Sequence, residues 1–258
     1  MNEDGTINRS ALPAIFNPED LNALELALQI KDRFSGRVTA ITMGPPSAVA
    51  VLRECLFRGA DDTVLITDPR CAASDTLATS YILSCAVKKF DYDIVLCGRQ
   101  AIDGDTAQVG PQVAEKLGIP QITYVEELVE LSNTAITVRR GTESGWQLVK
   151  TRLPCLLTVT SSANEPRYGA AKKIMKYKNA APVAEQSKIS AKDRETPIKQ
   201  WNLDFLRADL NWCGQNGSPT KVHRIQSVVL TTKQSRNIEP TEEGISDLIH
   251  QLIQDKII

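Results

Sequence analysis

Short, continuously apolar runs alternate with amphipathic stretches of helical period from Asn17 to Gly118, and that alternation leaves few folds open. Val38–Met43, Val64–Ile66 and Asp93–Cys97 are too short for helices and lack the polar alternation of a strand with one wet face. Between them lie helix signals. Asn17-Pro18-Glu19-Asp20 supplies a cap residue, a first-turn proline and acids at the positive end of the dipole. Leu21, Leu24, Leu28 and Ile30 carry that helix to Phe34, and Gly36 ends it. Gly44-Pro45-Pro46-Ser47 turns into a second helix through Val51, Leu52, Cys55 and Leu56 to Gly59. Ser74-Asp75 opens a third ending near Phe90, and Thr106–Leu117 forms a fourth, closed by Gly118. Strands apolar on both faces and joined by helices predict an α/β fold with a doubly wound, mostly parallel sheet.

The texture then changes. Ile122–Val125, Ala135–Arg139 and Trp146–Arg152 read as strands, the last two joined by a hairpin through Gly141 and Gly145, and Cys155–Thr160 as a buried strand. From about Ala180 the chain is polar and rich in Pro and Gly until one amphipathic helix at 242–254. The expected organisation is an α/β domain over 1–180 and an extended C-terminal arm over 181–258. One element is out of place: a doubly wound sheet begins with a strand, whereas the first element here is a helix. Met1–Phe16 holds an Asp4-Gly5 turn but no buried-strand run, so the sheet is expected to be one strand short at its start.

Charge and composition narrow the function. With 30 basic against 31 acidic side chains, bulk basicity offers no footprint for nucleic acid. Two histidines, and six cysteines with no Cys-x-x-Cys pair, give no metal site and no catalytic constellation. The cysteines read as small apolar groups in a reducing compartment. No run is long and apolar enough to insert in a membrane, and the polar, acidic start excludes a targeting peptide, so a cytoplasmic setting is expected.

The richest stretch is GRQAIDGDTAQVGP, Gly98 to Pro111, which follows a buried strand and leads into a helix. That places it at the carboxyl edge of the sheet, where open α/β sheets bind ligands. Asp105 or Thr106 is expected to cap the helix, leaving the N–H groups of Thr106, Ala107, Gln108 and Val109 to seat a phosphate. Neither the P-loop nor the G-x-G-x-x-G pattern occurs. Asp103 and Asp105 are expected to hold the loop's shape, and Gly104 to give it backbone freedom and close approach. A second stretch, Asn164 to Lys178, sets Lys172, Lys173, Lys176, Lys178 and Arg167 around Ile174 and Met175, the chemistry of a docking loop.

GRQAIDGDTAQVGP followed by LPCLLTVTSSANEPRYGAAKKIMKYK closely resembles the β (small) subunit of electron transfer flavoproteins, and the likeness extends from NPEDLNALELALQIKD to the C-terminal arm. The resemblance implies a fold related to the adenine-nucleotide α-hydrolase kind and a heterodimer with an α subunit that holds an FAD. Carried over by position, the cofactor-binding residues are Asn17, Pro18, Glu19, Asp20 and Met43 on the adenosine side. The loop contributes Gly98, Arg99, Gln100, Ala101, Ile102, Asp103, Gly104, Asp105, Thr106, Ala107, Gln108 and Val109. Arg99 is expected to pair with phosphate or flavin. The partner-docking set is Arg167, Tyr168, Ala171, Lys172, Lys173, Ile174, Met175 and Lys176; simple members of the family carry a leucine where Ala171 stands. The family normally begins with a strand and a Cys-x-Lys-Gln-Val-Pro-Asp-like segment that lies against the adenine, and this sequence starts after it.

The Asp-Gly-Asp-Thr-Ala-Gln-Val-Gly-Pro wording, the NPEDLNALE helix start and the arm with Trp201 and Gly217-Ser218-Pro219-Thr220 resemble the flavin-based bifurcating branch. That branch implies a second FAD in the β subunit, NADH as electron donor, and ferredoxin and a flavin dehydrogenase of acyl-CoA or lactate type as acceptors. The alternatives are a non-bifurcating β subunit holding AMP and, in another class, a stress-protein-like nucleotide-binding regulatory protein.

Overall fold

The computed structural model describes residues 15–184, 198–220 and 238–254. Helix α1 spans Pro18–Phe34, β1 Thr39–Met43, α2 Val49–Arg58, β2 Asp62–Ile66, α3 Thr76–Val87, β3 Ile94–Gly98 and α4 Val109–Leu117. Then come β4 (Gln121–Leu131), β5 (Ala135–Thr142), β6 (Gly145–Arg152), β7 (Cys155–Val159), α5 (Ala171–Tyr177), β8 (Val183–Ala184), β9 (Ile198–Trp201), α6 (Leu203–Leu206) and α7 (Glu242–Gln254). The α/β class and its parallel core are as the sequence implies.

The strands form two sheets, in the orders β1-β2-β9-β8 and β3-β7-β4-β5-β6. The first is parallel throughout; the second is parallel across β3-β7-β4 and antiparallel across β4-β5-β6. Burial follows position. The middle strands β2 and β7 are almost wholly buried, whereas every residue of β1 is only partly buried. On one face α1 buries Leu24 and Leu28 against Ala40 and Cys55, and Ala23 and Leu26 against Leu157. On the other, α3 packs Ile82 on β2 and α4 packs Val113 on β7. Leu28, Leu52, Leu56, Ile82 and Leu157 are fully enclosed, each worth about 1.5–3 kcal/mol of apolar burial.

Beyond residue 180 the sequence reads as an arm, yet β9 pairs in parallel with β2, and Ile198 and Trp201 are buried. The polar IKQW run hides a central strand because only its two end residues face the core. One compact unit spans residues 8–221, so the sheet strands continue past the expected boundary. Helix α7 lies in the other unit; it matches the expected 242–254 segment and leaves Ile245, Ile249 and Ile253 exposed along one side.

Candidate functional site at the carboxyl edge

Helix α1 starts against the end of β3, and three of its first polar side chains build the loop beyond. Asp20 Oδ1 accepts the Gly98 amide at 2.6 Å. Glu19 Oε2 accepts the Gln100 amide at 3.0 Å, and its Oε1 pairs with Arg99 Nε at 3.1 Å. Asn17 Nδ2 donates to the Gln100 carbonyl at 2.9 Å and to Asp20 Oδ2 at 2.9 Å, while its Oδ1 accepts the Ile102 amide at 3.1 Å. Asn17 stands at the cap position but makes no side-chain cap bond to its own helix, contrary to expectation. Its side chain serves the loop instead. Gly98 is required for this approach, because a Cβ there would lie 2.6 Å from the Asp20 nitrogen and 2.7 Å from the Glu19 carbonyl carbon.

Burial raises the Asp20 carboxyl above its usual range, against the lowering pull of its bonds from Gly98 and Asn17. Arg99 is held further toward its charged form by the hydrogen bond to Glu19, and its guanidinium lies 5.6 Å from the Tyr124 ring centre. Tyr124, at a positive φ of 59°, is a neighbour that no local pattern in the sequence signals.

The loop departs from expectation in two respects. Helix α4 begins at Val109 rather than Thr106, with Gln108 at the cap position and no side-chain cap bond, so neither Asp105 nor Thr106 caps it. The reason is conformational: Asp105 and Ala107 sit in the left-handed region at φ 50° and 54°, which no α-helix continues through. Gly104 occupies open space without a positive φ, so the backbone freedom resides one and three residues later. Among the described residues the amides of Thr106, Ala107 and Gln108 meet no acceptor. Successive amides around left-handed residues form a concavity suited to anions. The neighbouring Asp105 carboxylate is engaged by the Gln100 side-chain amide. Ala101, Ile102, Asp103, Gly104, Asp105 and Thr106 are exposed, and Met43 is half-buried at the end of β1. The arrangement is of a kind that can accept an anion such as a phosphate.

Two supports come from far along the chain. Thr76 Oγ1, at the start of α3, donates to Gln108 Oε1 at 2.9 Å. Asp75 caps α3 through the Leu77 and Ala78 amides and also accepts the Thr220 amide at 3.1 Å, while buried Ser218 Oγ accepts the Asp75 amide at 2.8 Å. The Gly217-Ser218-Pro219-Thr220 stretch thus closes on the helix beside the loop.

The second candidate lies elsewhere in the same unit. Tyr168 is 90% exposed and Met175 67%, with Lys172, Lys173 and Lys176 along the short α5. Ala171 opens that helix, and Ile174 is partly exposed. Arg167 is turned inward: its Nε lies 2.8 Å from buried Glu25 and its Nη1 2.9 Å from Asp32, so it straps the segment to α1. Asn22 Nδ2 adds a bond to the Asn164 carbonyl at 2.8 Å. No group of metal-ligating side chains occurs among the described residues, and none of their helices is long and apolar enough to cross a membrane.

Comparison with known proteins gives this arrangement a family. Residues 4–191 match the electron transfer flavoprotein domain. The electron transfer flavoprotein subunit β of Clostridium acetobutylicum is 41% identical over 98% of this chain and 92% of its own length. The acryloyl-CoA reductase electron transfer subunit γ of Anaerotignum propionicum is 39% identical over 100% of this chain and 93% of its own. The caffeyl-CoA reductase-Etf complex subunit CarD of Acetobacterium woodii is 43% identical over 85% of this chain and 78% of its own.

Proposed function

This chain belongs to the electron transfer flavoprotein family as a β subunit, and we propose that it pairs with an α subunit and holds the adenine-nucleotide part of a second FAD on the Gly98–Val109 loop. The observation that carries this reading is the pair of left-handed residues, Asp105 and Ala107, with amides beside them that meet no acceptor among the described residues. Backbone donors pre-aimed at an anion lose little freedom when it arrives. Arg99 adds one cation, held in place by Glu19 at 3.1 Å, and an arriving phosphate competes with that carboxylate for it. Asn17, Glu19 and Asp20 hold the loop's first half at a fixed height above the sheet, while Thr76 anchors its second half through Gln108.

When bound, FAD supplies the electron-carrying chemistry, and the protein's part is to bind and orient it. Relatives named for acryloyl-CoA and caffeyl-CoA reductase complexes support a CoA-ester-reducing flavin dehydrogenase as partner. The same likeness, with the loop wording, favours the bifurcating branch, with NADH as donor and ferredoxin as second acceptor. The Tyr168–Lys176 surface is the docking site for the dehydrogenase, and the chain beyond the compact unit, from residue 222 on, contacts the α subunit. Extraction of cofactors from the αβ complex tests this. Two FAD per heterodimer are expected; one FAD with one AMP overturns the bifurcating reading in favour of a simple β subunit.

A further inference from the structure

The segment after α6 returns to the start of α3. Gly214, at a φ of 56°, lies so close to the chain before α3 that a Cβ there would stand 2.1 Å from the Arg70 carbonyl oxygen. Ser218 is 4% exposed, and its hydroxyl is fully used. It accepts the Asp75 amide at 2.8 Å and shares its proton between the Gly214 carbonyl at 2.7 Å and the Ala73 carbonyl at 3.2 Å. Two residues on, the Thr220 amide donates to Asp75 Oδ2 at 3.1 Å. The other oxygen, Oδ1, accepts the Leu77 and Ala78 amides at 3.0 Å and caps α3. Asp75 thus divides its carboxylate, one oxygen for the helix and one for the returning chain.

Thr76, the next residue, carries the link across to the loop. Its hydroxyl donates to Gln108 Oε1 at 2.9 Å and accepts Gln112 Nε2 at 3.4 Å, so both of its capacities are taken. Gln108 and Gln112 stand one turn apart at the start of α4, joined by the Gln112 amide to the Gln108 carbonyl at 3.0 Å. The Gln108 amide is the last of the three that meet no acceptor among the described residues, and Ala107 before it is left-handed. A side chain held from α3 limits how far the Gln108 peptide can rotate, and so keeps that amide aimed.

We propose that Ser218 and Asp75 are positioning residues for the anion-facing amides of the Gly98–Val109 loop, acting through Thr76 and Gln108. The seating of residues 214–220 on the start of α3 and the retention of a nucleotide phosphate on the loop then favour each other, because a coupling between two sites acts equally in both directions. This deepens the cofactor reading above and rests on it. Capping alone does not account for the bonds: α3 needs only Oδ1 of Asp75, yet Oδ2 and the Asp75 amide are both given to the returning segment. That segment is the last of the compact unit, which ends at Lys221. The chain from residue 222 on is the part proposed to contact the α subunit, so occupancy of the loop is registered where that part begins.

Residue-resolved amide exchange and ADP calorimetry on the nucleotide-stripped αβ complex test the coupling. Bound ADP should slow exchange of the Asp75 and Thr220 amides about 5- to 30-fold. Thr76→Val, which keeps the side chain's size and loses its hydroxyl, should abolish that response while ADP still binds. Asp75→Asn keeps an oxygen for the Leu77 and Ala78 amides but offers Thr220 no second acceptor, so α3 keeps its cap while the link breaks. Asp75→Asn and Ser218→Ala should each weaken ADP about 3- to 10-fold, and neither should weaken it further once Thr76→Val is present. A merely structural role would give losses that add in that background. Additive losses, or Asp75 and Thr220 amides indifferent to bound ADP, would overturn the coupling and leave the cofactor reading standing. A stripped complex that takes up no ADP would overturn the cofactor reading, and the coupling with it.

Discussion

The Asn17 side chain bonds the Gln100 carbonyl at 2.9 Å and the Ile102 amide at 3.1 Å, so one amide group clamps both sides of the turn that begins the Gly98–Val109 loop. Removing it in Asn17→Ala frees that turn and leaves the two backbone groups to water. Each lost bond is worth about 1 kcal/mol. The αβ complex of this variant should bind ADP about 5- to 30-fold more weakly by calorimetry. Unchanged affinity would show that the clamp has no part in binding.

The two loop glycines should behave oppositely. A Cβ on Gly98 meets backbone of Glu19 and Asp20, which cannot rotate aside, so Gly98→Ala should cost about 1–3 kcal/mol in urea unfolding. Gly104 has nothing within 4 Å and no positive φ, so Gly104→Ala should stay within about 0.5 kcal/mol of the parent. Equal losses at the two positions would contradict this account of the loop.

How much of this was legible beforehand depends on the distance over which each signal acts. Helix α1 and helix α7 were readable because cap, period and stop residues lie within a few turns of one another. The loop's place at the sheet edge was readable from its position after β3. The Asn17–Gln100 and Thr76–Gln108 contacts were not, since each joins residues brought together only by tertiary packing. The start of α4 was misplaced because Asp105 and Ala107 adopt left-handed backbone without glycine, which local propensity does not signal. Strand β9 was missed because Lys199 and Gln200 mask a strand that contributes only Ile198 and Trp201 to the core.

Salt should report the proposed docking surface. Lys172, Lys173 and Lys176 share the short α5 with exposed Met175, so charge-reversed Lys172→Glu, Lys173→Glu and Lys176→Glu together should slow electron transfer to the dehydrogenase. The loss should be largest at low ionic strength and shrink as the Debye length shortens toward about 8 Å. A rate whose salt dependence matches the parent's would remove this surface from the docking site.

Acid should find Asp68. Its carboxylate accepts the Arg70 side chain at 2.6 and 2.9 Å, the Arg70 amide at 2.9 Å and the Leu203 amide at 3.2 Å. The Arg70 bonds above all hold it down to about 2, from an ordinary 3.8. A folded-state value below the unfolded one gives stability that is present above about pH 4 and lost as pH falls toward 2. In Asp68→Asn the stability curve should therefore be flatter between those limits than in the parent. An unaltered slope would count against the pairing.

Glu25 and Arg167 provide the sharpest test of the strap beneath the docking segment. Glu25 is 5% exposed, and burial alone would raise its carboxyl; the bonds from Arg167 outweigh burial and leave it below the usual range. Arg167→Met strands the carboxylate, at a cost of about 2–4 kcal/mol near pH 7, less than for a fully buried pair because the guanidinium is a third exposed. Without the guanidinium the Glu25 carboxyl, still bonded by the residue-167 amide and Gln29, lies higher than in the parent, so the variant's deficit grows as pH rises through the carboxylate range and shrinks below it. Arg167→Met should thus differ most from the parent at neutral pH and least near pH 4. Adding Glu25→Leu removes the stranded charge and should recover a large part of the loss. A double variant as unstable as Arg167→Met alone would mean that packing of the arginine stem, and not the ion pair, ties the segment to α1.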